Sequence, residues 1–140
     1  MRFECDAYDY PRDECRRLVL FASRGVSKRR VSVWIGPRDA GFSGWAYRDG
    51  RIRLRLGPKG DLRPMVAETK TLRRAYPDIP CGSWRDVLVF LAAHEFRHLH
   101  QFRYWGGAAS EQDADEHAIE MLNRWRAETG RRPIEAMVYL

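Results

Sequence analysis

The chain has little of several things that would fix its class at once. Its three cysteines, Cys5, Cys15 and Cys81, are odd in number, far apart and form no CxxC pair. That speaks against a disulfide framework and against an all-cysteine zinc site, and leaves three reduced thiols as the expectation. No apolar run approaches the ~18 residues of a membrane-spanning helix, and the run at residues 18–22 is far too brief. Acids at Glu4 and Asp6 stand where a secretory signal would be apolar, so a cytoplasmic chain with no membrane partner is expected. No internal repeat and no second-domain boundary is visible. No stretch interleaves aromatic with basic residues along the chain as a single-strand nucleic-acid groove would.

What is present suits one globular domain over residues 1–140. The sequence is 44% hydrophobic and 12% aromatic with five tryptophans, which is apolar surface enough to need a core. The net charge is +6, with basic residues gathered at 24–30, at Arg51, Arg53 and Arg55, at Arg73 and Arg74, and at Arg131 and Arg132. Such a surface is compatible with simple solvation and with a nucleic-acid partner.

Pro11 can open a helix that Gly25 stops, with Cys15, Leu18, Val19 and Ala22 on its apolar side. Residues 31–35 alternate as a strand ended by Gly36 and Pro37. Residues 42–56 read as a hairpin about a two-residue Asp49-Gly50 turn. That turn pairs Arg48 with Arg51, Tyr47 with Ile52, Ala46 with Arg53 and Trp45 with Leu54. It predicts Trp45, Tyr47, Ile52, Leu54 and Leu56 on a core face and the arginines on a wet one. Met65, Thr69, Leu72 and Tyr76 step along a further helix broken by residues 77–82. Ser83, with Asp86 three residues on, has the form of a capping box opening a buried helix over residues 84–105. After Gly106 and Gly107, Ser110 caps a last helix that stops at Gly130, with Ala118, Met121, Leu122 and Trp125 as its apolar stripe.

The chemistry lies in His94-Glu95-Phe96-Arg97-His98 and in Glu111-Gln112-Asp113-Ala114-Asp115. On a helix, His94 and His98 stand one turn apart on one face, where two imidazoles can bind one Zn²⁺ at about 2.0–2.1 Å each. Glu95 is turned about 100° from His94, beside a metal there without being its ligand. Glu111 and Asp115 also share a face, so one can reach the metal while the other accepts the outer N–H of a ligating histidine. His117 lies about 240° around the same helix from Glu111, without a matching second acid. His100 points away from the His94/His98 face. Gln101 and Trp105 return to it further along, with lining of the cleft as one role and packing as the favoured one.

These motifs, with the order of elements around them, resemble the gluzincin metallopeptidases, in particular the small single-domain members called minigluzincins. The resemblance rests on HExxH at residues 94–98 and on a match to ExxAD at residues 111–115. It implies zinc bound by His94, His98 and Glu111, Glu95 as the catalytic base, Asp115 supporting a zinc-bound histidine, and a protein or peptide substrate. The expected fold is α+β: a small, three-stranded, largely antiparallel sheet with helices on one face, one of them a zincin-like active-site helix. By the same likeness an edge strand pairs with extended substrate, here Arg51, Arg53 and Arg55 on strand 51–56, or alternatively residues 44–47. Alternate arginines on an exposed strand also serve simply to keep sheet edges apart. Tyr104, Arg103 and Tyr139 are candidates for stabilising the oxyanion. SprT-like peptidases, which complete the site with histidine, are the neighbouring family, and by that likeness His117 is the rival third ligand to Glu111. The alternative function is a basic DNA-associated protein, either a SprT-like protease acting on DNA-bound proteins or a non-catalytic zinc-containing binding module.

Overall fold

The computed structural model describes residues 1–62, 67 and 69–137. The elements run β1 (Arg2–Cys5), α1 (Arg12–Ala22), β2 (Ser32–Pro37), β3 (Phe42–Ala46), β4 (Arg51–Leu56), α2 (Lys70–Ala75), α3 (Trp84–Tyr104) and α4 (Glu111–Glu128). The fold is α+β. Among the described residues no helix is long and apolar enough to cross a membrane.

The sheet has four strands in the order β1-β2-β4-β3, and so differs from the expected three-stranded, largely antiparallel one. Only β3 and β4 run antiparallel; β1 with β2 and β2 with β4 are parallel. A parallel neighbour needs a long crossover, and α1 supplies it between β1 and β2. β1 is four residues long with no clear alternation, too little for a local signal. The hairpin swings β3 to the outside, so β4 lies between two partners. Arg51, Arg53 and Arg55 therefore do not form a sheet edge, contrary to expectation; β3 does.

The hairpin register also differs by one residue. Tyr47 N–H donates to Arg51 O at 2.8 Å and Gly50 N–H to Tyr47 O at 3.0 Å, so the loop holds residues 48–50 and not two. Gly50 takes φ +98°, the left-handed position that closes three-residue loops and suits glycine. Trp45 consequently pairs with Arg53 and Ala46 with Ile52. A slip of one residue turns a whole strand over. Trp45 and Tyr47 join the arginines on the outer face, while Phe42, Gly44 and Ala46 turn towards the helices.

β4 behaves as read: Ile52, Leu54 and Leu56 are buried and the arginines exposed. With Phe3, Val33 and Ile35 they form the inner sheet face, packed on Leu18, Val19 and Ala22 of α1 and on the buried run of α3. Helix α3 is covered on nearly all sides from Val87 to Phe96, which is why its sequence there is almost unbroken apolar.

Ser83 caps α3 by accepting from Arg85 N–H. Asp86 does not close the expected box onto Ser83. Its carboxylate accepts instead from Gly82 N–H at 2.9 Å and from both Nη groups of Arg131, at 2.6 and 2.8 Å. The start of α3 is thereby tied to the segment after α4. Ser110 caps α4 by accepting from Asp113 N–H. Of the helix expected around Met65 to Tyr76, α2 is the described part, and Met65 lies outside the described residues.

Candidate metal centre

The antiparallel pair α3 and α4 places one residue set from each helix against the other. His94 Nε2 and His98 Nε2 lie 3.1 Å apart. The Glu111 carboxylate reaches across, with Oε2 at 3.0 Å from His94 Nε2 and Oε1 at 3.0 Å from His98 Nε2. Among the described residues this is the group of histidine, cysteine or acidic side chains whose ligand atoms converge as for a metal ion. Both histidines are buried, while the Glu111 side chain is half exposed. The centre thus lies at the bottom of an open cleft of about 420 Å³ between α3, the start of α4 and the Gly44–Ala46 stretch of β3.

The outer nitrogen of each ring is already committed. Asp115 Oδ1 lies 2.9 Å from His94 Nδ1, its carboxyl almost wholly buried. Gln101 Oε1 lies 2.9 Å from His98 Nδ1 and also accepts from Ser110 N–H at 2.9 Å. A backbone N–H can only donate, which identifies the Gln101 atom as its carbonyl oxygen and His98 Nδ1–H as the second donor. Both imidazoles then turn Nε2 lone pairs inward, against a carboxylate. Three acceptors at about 3 Å with no proton between them repel one another unless a cation joins them. Tetrahedral zinc with ligands at about 2.1 Å separates its donors by about 3.4 Å, close to what is found here. The residues fit the ion.

Electrostatics agrees. Burial disfavours a charged His94, yet its hydrogen bond to Asp115 and the charges of Glu95, Asp115 and Glu111 outweigh it and raise its pKa above the ordinary imidazole value. The surroundings favour positive charge at this spot. Glu95 is buried beside the cluster, with Oε1 at 3.9 Å from His94 Nε2. Its stem runs under β3. A Cβ added at Gly44 would stand 3.0 Å from Glu95 Cγ and 3.0 Å from Leu54 Cδ2, so only a bare backbone lets strand and helix approach this closely.

A lock outside the cluster holds the two helices in this relation. Gln101 is wholly buried, and its amide nitrogen donates to Ser110 O and to Asp113 Oδ2, both at 2.9 Å. Arg97 grips the same Asp113 through Nε at 2.6 Å and Nη2 at 3.1 Å. Burial raises the Asp113 pKa, but hydrogen bonds from Arg97 and Gln101 overcome this and hold it below the usual range. From sequence, Gln101 is expected to pack or to line the cleft, and not to bridge the helices in this way. A polar side chain one turn beyond His98 was the available signal, but Ser110, its partner, is known only from the fold.

The other candidates lie elsewhere. His117 is outside the ligand cluster, half-buried, and its pKa is lowered by burial and then by Arg97. Arg103 is spent on the loop before β2, donating to Ser27 O at 2.8 Å and Arg29 O at 2.7 Å. Tyr104 is 65% exposed, tilted against His100 at 4.9 Å between ring centroids. Neither Arg103 nor Tyr104 lines the cleft, so neither is placed to meet an oxyanion there. Tyr139 lies outside the described residues. No family model, curated protein or solved structure matches this chain.

Proposed function

We propose that this chain is a zinc-dependent metallopeptidase of the gluzincin type, with His94, His98 and Glu111 as zinc ligands and Glu95 as general base. The observation that carries the reading is the convergence of two lone-pair nitrogens and a carboxylate at about 3 Å, with a further buried carboxylate beside them. Two nitrogens and one oxygen suit zinc and leave a fourth position for solvent. Zinc held there supplies Lewis acidity and lowers the pKa of water towards neutrality.

The chain's own groups then have defined tasks. Glu95 accepts a proton from the attacking water, whose oxygen adds to the carbonyl carbon of the scissile peptide. As the C–N bond breaks, Glu95 returns that proton to the departing amine. Asp115 and Gln101 keep both rings in the tautomer that presents Nε2. Among the described residues β3 has a strand partner on one side only, and it borders the cleft, so an extended peptide can add to the sheet there by main-chain pairing. On this reading the substrate adds to Phe42–Ala46, which overlaps the 44–47 alternative, and not to strand 51–56, which is interior to the sheet.

Metal analysis of the purified protein together with digestion of an unfolded protein tests the reading. One zinc per chain, lost in Glu111→Ala but retained in His117→Ala, with cleavage that a chelator stops, is the expected result. A chain that binds no divalent metal, or that binds zinc and cleaves nothing unfolded, overturns it.

A further inference from the structure

The outer face of the sheet, on the side away from the helices, carries an arrangement that no single stretch of sequence shows. Strand pairing aligns Trp34 of β2 with Arg53 of β4, and Arg53 with Trp45 of β3. The three make one row across the sheet, so at about 4.8 Å per strand the two indoles stand roughly 10 Å apart with a guanidinium between them. Arg53 Cζ lies 4.5 Å from the centroid of Trp34. The Trp34 ring lies over the bare backbone of Gly36, where an added Cβ would overlap it. One row along, Arg51 Cζ lies 4.4 Å from the Tyr47 ring, the backbone pairing Tyr47 with Arg51. One row the other way stands Arg55.

This face is open. Trp45 is 64% exposed, unusual for so large an apolar group, and an open groove of about 550 Å³ runs between the rings and the arginines. Acids are present at its margins: Asp49 pairs with Arg51 at 2.8 Å, Asp6 accepts from Trp34 Nε1 at 2.6 Å, and Glu4 pairs with Arg2. Arg53 and Arg55 have no carboxylate partner among the described residues; Arg55 donates only to Pro37 O.

We propose that this face binds a single-stranded polynucleotide, its bases stacking on Trp45 and on the Arg53–Trp34 pair and its phosphates meeting Arg55 and Arg51. Flat rings alternating with guanidinium groups at strand spacing match a ligand that alternates flat bases with phosphates. An acidic protein would use the charges but leave the exposed rings without purpose. A duplex hides its base faces inside its own stack. The face shares Trp45 with the rim of the metal cleft, but the inference does not rest on the peptidase reading.

Fluorescence anisotropy with labelled oligo-dT and oligo-U of about ten nucleotides tests it. A duplex of equal length and a poly-glutamate peptide serve as comparators, at about 50 mM and then about 200 mM salt. The expected result is single-strand binding tighter than that of either comparator, falling with salt, and accompanied by quenching of tryptophan fluorescence. Trp45→Ala should weaken it about ten-fold, while Trp45→Phe, which keeps a ring, should lose far less. Arg53→Glu with Arg55→Glu should lower affinity well beyond Arg16→Glu with Arg17→Glu, the same charge change on the exposed side of α1. Thermal melting confirms that each variant is folded, and the wild-type quenching gives a readout that needs no variant. Absence of binding at low salt overturns the proposal. So does equal affinity for duplex or poly-glutamate, or an equal loss from the two charge reversals. Binding of either nucleic acid upholds it, and their ratio shows which one the face prefers.

Discussion

The amide oxygen of Gln101 sits 2.9 Å from His98 Nδ1 and 2.9 Å from the backbone nitrogen of Ser110, joining a ring on one helix to the cap of the next. One buried side chain therefore sets the tautomer of a ligand and the position of the helix that carries Glu111.

Gln101→Ala should act on both. Metal affinity is expected to fall about 10–100-fold, the usual cost of losing a group that orients a ligand. Stability should drop by about 1–3 kcal/mol, because Ser110 N–H and the Asp113 carboxylate lose buried partners. Chelator competition and denaturant melts measure the two. Unchanged metal affinity in a destabilised variant would mean that Gln101 is a packing residue only.

Glu95→Gln separates binding from chemistry. The amide is nearly isosteric and leaves all three ligands in place, so metal content should stay at the wild-type level. Cleavage of an unfolded protein should fall by about 10²–10⁴-fold with loss of the proton acceptor. A variant with full activity would remove Glu95 from the assigned role.

Gly44→Val probes the close approach of β3 to α3. Any side chain there meets Glu95 Cγ and Leu54 Cδ2, and overpacking of this kind costs roughly 1–3 kcal/mol. Because Glu95 must move, cleavage should drop by up to about 10²-fold while zinc stays bound. Metal analysis and steady-state rates on the same preparation distinguish this from unfolding.

Acid stability should report on Asp86 and Arg131. Burial raises the Asp86 pKa, but the hydrogen bonds and charge of Arg131 and the Gly82 N–H outweigh it and leave it below the usual value of 3.8. A carboxyl whose folded pKa is depressed adds stability above its unfolded pKa, and that contribution is lost as pH falls through the folded one. The wild type should therefore keep this contribution at pH 5 and lose it only below about pH 4. Arg131→Ala leaves a wholly buried carboxylate with only Gly82 N–H and the Arg126 guanidinium 3.9 Å away, which should cost about 3 kcal/mol at neutral pH. The acid midpoint should move upward, and melts across pH check both effects.

Much of the centre was legible because its spacing is local. His94 with His98, and Glu111 with Asp115, are each one helical turn apart, and that distance is set by the chain whatever the fold. The caps at Ser83 and Ser110 and the inward alternation of Ile52, Leu54 and Leu56 are local in the same sense. The hairpin register was not. A two-residue and a three-residue loop fit residues 47–51 almost equally well, and they differ in which face of β3 turns inward. Helix α3 favours one of them: a Cβ at the position against Glu95 would crowd Glu95 Cγ and Leu54 Cδ2 at 3.0 Å, so Gly44 suits it and the bulky Trp45 faces out.

Residue identities and their one-turn intervals thus came from sequence by itself: two imidazoles, two acids to match them, and a base beside the first ring. That Glu111 meets both rings, that Gln101 finds Ser110, that β3 and not β4 forms the edge, and that two indoles flank Arg53 on the far face were decided only by tertiary structure. Each of these joins residues on different elements, and the separation between elements is governed by how their side chains pack, which no local interval encodes.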